Sequence, residues 1–130
     1  MLGAEVLGHD EAWNLTRLST LAGPLLVPRL QRQPGETLNI RIRARDVTLH
    51  AAPPGPSSAL NMLPGIVAEI MPLPESPAVD VRLDCNGLAL IARITRLSAH
   101  NLQLAPGMAV FAAVKTVAMD RRGLTGLTED

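Results

Sequence analysis

The chain has 130 residues, 47% of them apolar, which is enough for one domain, or two very small ones, with a hydrophobic core. Its 12 basic and 12 acidic residues balance, so it lacks the basic field that collects nucleic acid or anionic lipid. Cys85 is the one cysteine, which excludes an internal disulfide.

The first half of the chain predicts short strands separated by turns. Residues 4–8 form an apolar run that ends in the turn cluster Gly8 to Glu11, and residues 13–19 and 25–30 follow on either side of Gly23-Pro24. Residues 38–44 show the clearest alternation in the chain, with Leu38, Ile40, Ile42 and Ala44 on one face. Period-two alternation of this kind predicts a half-buried strand, which residues 47–49 extend or follow.

The second half begins after a Pro-rich linker at residues 51–57. Four further strands are predicted at residues 65–71, 79–85, 88–95 and 108–114, with a short closing segment at 117–119. Asn86-Gly87 is a strong hairpin signal between the second and third of these strands. Residues 98–103 predict one or two helical turns with Ser98 as the cap. Residues 123–130 are expected to be a flexible tail.

The two halves repeat one another. Residues 25–30 correspond to 89–94, Pro34-Gly35 to Pro106-Gly107, and Arg17-Leu18 to Arg82-Leu83, in the same order. We therefore predict an all-β fold with two small OB-like antiparallel barrels in tandem and a short helix in the second. The predicted boundaries are 1–50 for the first barrel, 51–57 for the linker, 58–122 for the second barrel and 123–130 for the tail.

Residues 109–114 are apolar at every position. A strand with no polar face is buried on both sides, and a barrel of about 65 residues has only one interior. The second face is therefore expected to lie against the other barrel or against another subunit.

Several conspicuous residues have an ordinary structural interpretation. His9, Asp10 and Glu11 are adjacent, and because adjacent side chains rarely converge on one ion, a turn is the expected outcome. Cys85 is expected to be a small core residue. The row Arg41, Arg43 and Arg45 is a solvated strand face or a contact surface for a partner domain.

The segment from Ser57 to Asn61 lies between the Pro-rich linker and a predicted strand. Small hydroxyl residues at such a position leave backbone N–H groups uncovered, and these groups with serine hydroxyls can bind a tetrahedral oxyanion. An ordinary turn is the alternative, because serine and asparagine are common turn residues.

From Ser58 to Met119 the sequence resembles the Mop (TOBE-type) molybdate-binding domain. The resemblance is carried by Ser58-Ala59-Leu60-Asn61, Ile94-Thr95 with Ser98, Leu104 to Gly107, and Val114-Lys115-Thr116-Val117. Val6 to Asp10 and the stretch from Pro34 to Val47 resemble the segment that precedes this domain in the ATP-binding subunit of molybdate ABC importers. The resemblance thus extends over nearly the whole chain.

The resemblance implies specific roles at the start of the domain. Ser58 would offer its hydroxyl and Ala59 its backbone N–H. Leu60 occupies a position where many members have arginine, so only its backbone could serve. Asn61 belongs to the same motif and is expected to fix the turn rather than touch the ion.

The remaining ligand-binding roles fall later in the chain. Thr95 and Ser98 would donate from the loop after the hairpin, Lys115 would supply the full positive charge, and Thr116 would be a further donor. Without a ligand, Thr95 and Ser98 would form a helix N-terminus, and Lys115 would extend from a strand end into solvent.

The resemblance implies a non-enzymatic homodimer that binds molybdate or tungstate, without a cofactor or free metal cation, and restrains transport in response to intracellular oxyanion. The resemblance implies the ATPase domain and the membrane permease as its partners. The ATPase would be a separate domain, because this chain has no Gly-x-x-x-x-Gly-Lys-Ser/Thr loop. A purely structural dimerisation module and a stand-alone molbindin-type oxyanion store are the alternatives. No signal peptide or membrane span is predicted, so we expect a cytoplasmic protein at the inner membrane face, with no nucleic-acid partner.

Overall fold

The computed structural model describes residues 2–115 and 117–119. Ten strands occur among them: β1 (Leu2–Asp10), β2 (Leu15–Thr20), β3 (Gly23–Pro28), β4 (Thr37–Arg41), β5 (Val47–His50), β6 (Asn61–Pro72), β7 (Ala78–Cys85), β8 (Leu88–Thr95), β9 (Ala109–Val114) and β10 (Ala118–Met119). A 3-10 turn (Ala44–Asp46) precedes β5, and the helix α1 (Arg96–Asn101) follows β8. The predicted all-β class with one short helix is confirmed.

The strands form two antiparallel five-stranded sheets with the orders β10-β4-β1-β2-β3 and β5-β9-β6-β7-β8. Each sheet takes one edge strand from the other half of the sequence: Val47 of β5 pairs with Val114, and Ala118 of β10 pairs with Arg41. The chain crosses from the first sheet to the second between β4 and β5 and returns between β9 and β10, and the Pro-rich segment joins two strands of the second sheet. The predicted domain boundary at 51–57 stays a prediction, and the sheets divide elsewhere.

The internal repeat predicted from the sequence is visible in the two sheets. β1, β2, β3 and β4 correspond in order to β6, β7, β8 and β9, and both first strands carry a bulge, between Val6 and Gly8 and between Val67 and Glu69. An equivalent backbone hydrogen bond forms at each bulge: the Gly35 N–H donates to the Val6 carbonyl, and the Gly107 N–H donates to the Val67 carbonyl. The two Pro-Gly turns therefore dock in equivalent positions.

The buried side chains of both sheets form one contiguous core. Alternating inward positions of β1 and β7 supply Leu2, Ala4 and Val6, and Val79, Val81, Leu83 and Cys85. Alternation places every second residue on the interior face, which is the pattern that a half-buried strand requires. Among the described residues, no helix has the length and apolar character needed to cross a membrane.

Some predicted element boundaries and orientations differ from the structure. β4 ends at Arg41, because residues 44–46 form the 3-10 turn that redirects the chain toward the second sheet. Trp13 precedes β2 in a turn and is 75% exposed. Ser98 was predicted to cap the helix, but Thr95 is the cap, because its hydroxyl accepts a hydrogen bond from the Ser98 N–H.

One face of β9 is buried along its whole length, whereas the other face is buried only near the end of the strand. Ala112, Ala113 and Val114 are buried, whereas Ala109 is exposed and Phe111 is half-buried. Phe111 pairs with Pro64, and Ala109 pairs with Ile66, both of which are exposed on β6. Paired residues share a face of the sheet. An apolar strip made of Pro64, Ile66, Ala109 and Phe111 therefore lies on the outside of the second sheet.

Gly65 provides a test of how closely β6 packs on β7. A Cβ at this position would lie 2.9 Å from Cys85 Sγ and 3.4 Å from the Asp84 carbonyl oxygen. We expect Gly65→Ala to lower the free energy of unfolding by about 1–3 kcal/mol, because a well-packed core accepts an added methyl only with strain. Urea denaturation measures the loss.

Gly3→Ala is the matched control, because nothing lies within 4 Å of a Cβ at Gly3. In a Cys85→Ala background the cost of Gly65→Ala should fall, since the closest atom is gone. An undiminished cost in that background would contradict the role assigned to the Sγ contact.

Candidate functional site

The Ser57 to Asn61 segment is a turn at the entrance to β6. The Ser57 hydroxyl accepts a hydrogen bond of 3.0 Å from the Ala59 N–H, so the amide predicted to bind an anion is used within the turn. The Ser58 side chain is exposed, and that of Leu60 is 59% exposed. Ser58 thus has a hydroxyl that is open to solvent, and Leu60 supplies no polar side-chain atom.

Asn61 is the buried member of the segment, at 4% exposure. Its Oδ1 accepts from the Leu26 N–H at 2.7 Å, and its Nδ2 donates to the Leu26 carbonyl at 3.0 Å. Leu26 lies on β3 of the first sheet and Asn61 on β6 of the second. The Asn61 side chain therefore bonds one sheet to the other, and both of its polar atoms are engaged within the protein.

Lys115 lies close to this segment by strand register. Val114, the last residue of β9, pairs with Asn61 on one side and with Val47 on the other. Lys115 follows directly, so it leaves the sheet beside the start of β6. It is exposed and makes no ion pair with the residues that the structure describes. The predicted ligand Thr116 lies outside the described residues.

Thr95 and Ser98 form a second group at the start of α1. The Thr95 hydroxyl accepts from the Ser98 N–H and donates to Ser98 Oγ, both at 3.0 Å. Ser98 also lines a cavity of about 360 Å³ together with Thr48, Leu49, Ile94, Asn101 and Leu102. The Ser98 O–H is thereby left as a donor in an exposed position.

The two groups lie on opposite sides of β5. On one side β5 pairs with β9, from which Lys115 emerges, and on the other it contacts β8, which ends at Thr95. In the second sheet β5 and β8 are the two edge strands and are not hydrogen-bonded to each other. The structure thus places Lys115 next to the start of β6, at the end of the Ser57 to Asn61 segment, and Thr95 and Ser98 at the start of α1.

His9 and Asp10 end strand β1, and Glu11 begins the turn that follows it, so the turn predicted at Gly8 to Glu11 starts later than expected. His9 bonds Thr16 Oγ1 at 2.8 Å and the Arg32 carbonyl at 2.7 Å through its two ring nitrogens. Asp10 accepts from the Trp13 N–H, and Glu11 pairs with Arg29 at 2.7 Å. The three side chains have separate partners. In the described part of the chain, no group of three or more His, Cys, Asp and Glu residues could hold a metal ion.

Cys85 is fully buried against Gly65. Burial raises the pKa of the Cys85 thiol above its ordinary value, with a smaller contribution from the Asp84 carboxylate. A thiol that stays protonated is a poor nucleophile and a poor metal ligand. Cys85 therefore has the predicted role of a core residue.

Two features next to these residues were not predicted from the sequence. Leu60 and Asn61 line an apolar cavity of about 290 Å³ with Leu7, Arg17, Pro24, Leu25 and Leu26. Elsewhere in the second sheet, Asp80 of β7 and Arg93 of β8 face each other and form an ion pair with two hydrogen bonds. Opposite charges at facing positions of the predicted hairpin would have indicated this pair.

Residues 57–120 match the TOBE domain family. Over 121 residues the chain is 50% identical to the molybdenum import ATP-binding protein ModC of Mesorhizobium japonicum, covering 93% of this chain and 32% of that protein. It is 44% identical to ModC of Rhizobium meliloti over 112 residues, covering 86% and 31% of the two chains. The chain spans about a third of the length of these relatives.

A solved structure has the same fold over nearly its whole length. The cytoplasmic molybdate-binding protein ModG, crystallised with molybdate bound, superimposes with a TM-score of 0.79 and covers 92% of this chain and 94% of its own. Sequence identity is 20%, so this likeness concerns the fold. It agrees with the tandem OB-like arrangement of the two sheets.

Proposed function

We propose that this chain, whose residues 57–120 match the TOBE domain family, is the oxyanion-binding module of a molybdenum importer's ATP-binding subunit. The observation that carries the proposal is 50% identity, across 93% of the chain, to a protein named as a molybdenum import ATP-binding protein. TOBE is a binding domain, and the ATPase reaction belongs to a part of the relatives that this chain does not span. The proposed ligand is molybdate or tungstate.

Ser58, Lys115 and Thr116 are proposed to bind the ion from one side, with the backbone N–H of Leu60, whereas the Ala59 N–H donates to Ser57 Oγ within the turn. An oxyanion only accepts hydrogen bonds, so hydroxyls, amides and one ammonium are suitable partners. Lys115 supports this assignment because it is exposed beside the Ser58 turn and pairs with no described carboxylate. Asn61 is proposed to support the turn from below, because Leu26 occupies both of its polar atoms.

Thr95 and Ser98 are proposed to bind the same ion from a second subunit. Two observations support a homodimer. The two donor groups lie on opposite sides of β5 in one chain. The apolar strip Pro64, Ile66, Ala109 and Phe111 is also exposed on the second sheet, and such strips mark association surfaces.

In the importer, oxyanion that accumulates in the cytoplasm would favour one arrangement of this dimer and so restrain transport. Linkage bounds the size of the effect: a ligand at about 100 times its dissociation constant stabilises the bound state by about 2.7 kcal/mol. The ATPase domain and the membrane permease are the proposed partners, which would hold the module at the inner face of the membrane. A structural dimerisation module and a molbindin-type store are the competing functions.

Titration calorimetry of the purified chain tests the ligand. We expect heat of binding with molybdate and tungstate and none with sulfate at the same concentration. The reason is that the site offers a defined set of donors around one ammonium, which selects among anions by size. Sulfate is the matched control, because it carries the same charge on a smaller tetrahedron.

Absence of heat with both molybdate and tungstate would contradict the proposal and favour a structural module. Equal heats for all three anions would contradict the proposed selectivity. Analytical ultracentrifugation of the same samples separates the two functions further, because an ion bound between two subunits strengthens the dimer, whereas a structural module dimerises equally with and without oxyanion.

A further inference from the structure

An open groove of about 610 Å³ runs between the crossover segment 41–45 and the strands β7 and β8. It is lined by four arginines, one aspartate and three apolar residues: Arg41, Arg43, Arg45, Arg93, Asp80, Ile42, Ala44 and Ile91. The 3-10 turn at Ala44–Asp46 packs against β8, which brings the arginines of the crossover beside Arg93. We refer to this feature as the arginine groove. It shares no residue with the proposed oxyanion site.

The basic residues that line the arginine groove outnumber its acidic residues. Arg93 donates to both carboxylate oxygens of Asp80, at 2.8 and 3.0 Å. The hydrogen bond from Arg93 lowers the pKa of Asp80, so this carboxylate stays ionised and offsets one of the four guanidinium charges. The lining thus contains four guanidinium groups and one carboxylate, in a chain whose net charge is zero.

Two of the arginines are open to a partner. Arg41 and Arg45 are exposed, and neither forms an ion pair with the carboxylates of the described residues. Like charges held close together repel one another, which lowers the stability of the compact chain. A fold that keeps such a cluster is suited to an anionic partner, which relieves the repulsion.

The shape of the groove distinguishes among anions. Its charges are distributed along the crossover and across two strands, whereas a small tetrahedral oxyanion contacts only groups that converge within a few ångströms. Ile42 and Ile91 are half-buried in the lining and offer contact to aliphatic side chains. Nucleic-acid binders stack bases on aromatic side chains, and no aromatic residue lines the groove. We propose that the arginine groove docks an acidic, partly aliphatic peptide segment of a partner protein.

The test uses a fluorescein-labelled peptide of alternating glutamate and leucine and follows its anisotropy as the chain is added. Replacing Arg41 and Arg45 together by glutamine should weaken binding about tenfold, since each substitution removes one exposed positive charge from the contact with the peptide. The double variant Arg17→Gln/Arg29→Gln is the matched control and should bind within about twofold of the parent chain. Raising the salt from about 50 mM to about 200 mM should weaken the parent more than the groove variant.

Three binding results would overturn the proposal: equal affinity of the groove variant and the parent, equal affinity for a peptide with glutamine in place of glutamate, and absence of measurable binding. Loss of the dimer in the groove variant would also contradict it, because the groove would then bind a second copy. The proposal is separable from the oxyanion function, because the groove variant should retain the molybdate heat of the parent chain.

Discussion

Replacing Asn61 with alanine is expected to lower the free energy of unfolding by about 2–4 kcal/mol, because the N–H and carbonyl of half-buried Leu26 lose their partners. Leu26 and Asn61 lie on different sheets, and the Leu26 N–H and carbonyl both bond to the Asn61 side chain, at 2.7 and 3.0 Å. Alanine removes both bonds, and its methyl group has no polar atom to replace them at a site that is 4% exposed. In thermal unfolding the loss corresponds to a decrease in Tm of roughly 10 °C.

Asn39→Ala is the control for this substitution. Asn39 lies on β4 with an exposed side chain, so its removal should change Tm by no more than about 2 °C. A Tm for Asn61→Ala within the range of this control would contradict the assignment of Asn61 to the contact between the sheets.

The Asn61 result also bears on the oxyanion site. If Asn61 acts only through the turn, then Asn61→Ala should weaken molybdate binding in proportion to the loss of folded protein and no further. Calorimetry at a temperature well below the new Tm separates the two effects. A large loss of affinity in fully folded protein would instead assign Asn61 to the ion itself.

The strands that alternate in sequence were predictable, whereas their pairing across the molecule was not. Residues 79–85 and Asn86-Gly87 contain a local period and a local turn, so β7 and its hairpin with β8 follow from neighbouring residues alone. β5 pairs with a strand about sixty residues further along, and nothing within Val47–His50 specifies that partner. The exchange of edge strands is therefore a property of the complete fold.

The arrangement of the candidate site could likewise not be predicted from neighbouring residues alone. The position of Ser58 beside Lys115 depends on the register that pairs Asn61 with Val114, and the spacing of the residues in the sequence does not contain that register. The exact helix cap depends on which hydroxyl faces the Ser98 N–H, and Thr95 does so because it ends β8 in extended conformation. The arginine groove required knowledge of the crossover at residues 42–46, which places Arg93 beside Arg41 and Arg45.

Lys115→Ala is expected to weaken molybdate binding by about one to two orders of magnitude, because a charge-assisted hydrogen bond contributes about 1.5–3 kcal/mol. Lys115 is exposed and makes no ion pair with described residues, so the stability of the variant should be unchanged. Arg29→Ala removes an exposed cation elsewhere and serves as the control. Molybdate affinity that is indifferent to Lys115→Ala would contradict the site assignment.

A mixing experiment then tests whether the donors come from two subunits. Ser98→Asp places a carboxylate in the first turn of α1, which the helix dipole favours, and repels the oxyanion from that side. Each variant alone should bind weakly, but a dimer that combines Lys115→Ala with Ser98→Asp contains one intact site, formed by Ser98 of one chain and Lys115 of the other. Equal amounts refolded together should recover about a quarter of the parental sites, because half of the dimers are mixed and each has one of two sites restored. If both donors came from the same chain, mixing would restore nothing, because every site would contain one of the two substitutions.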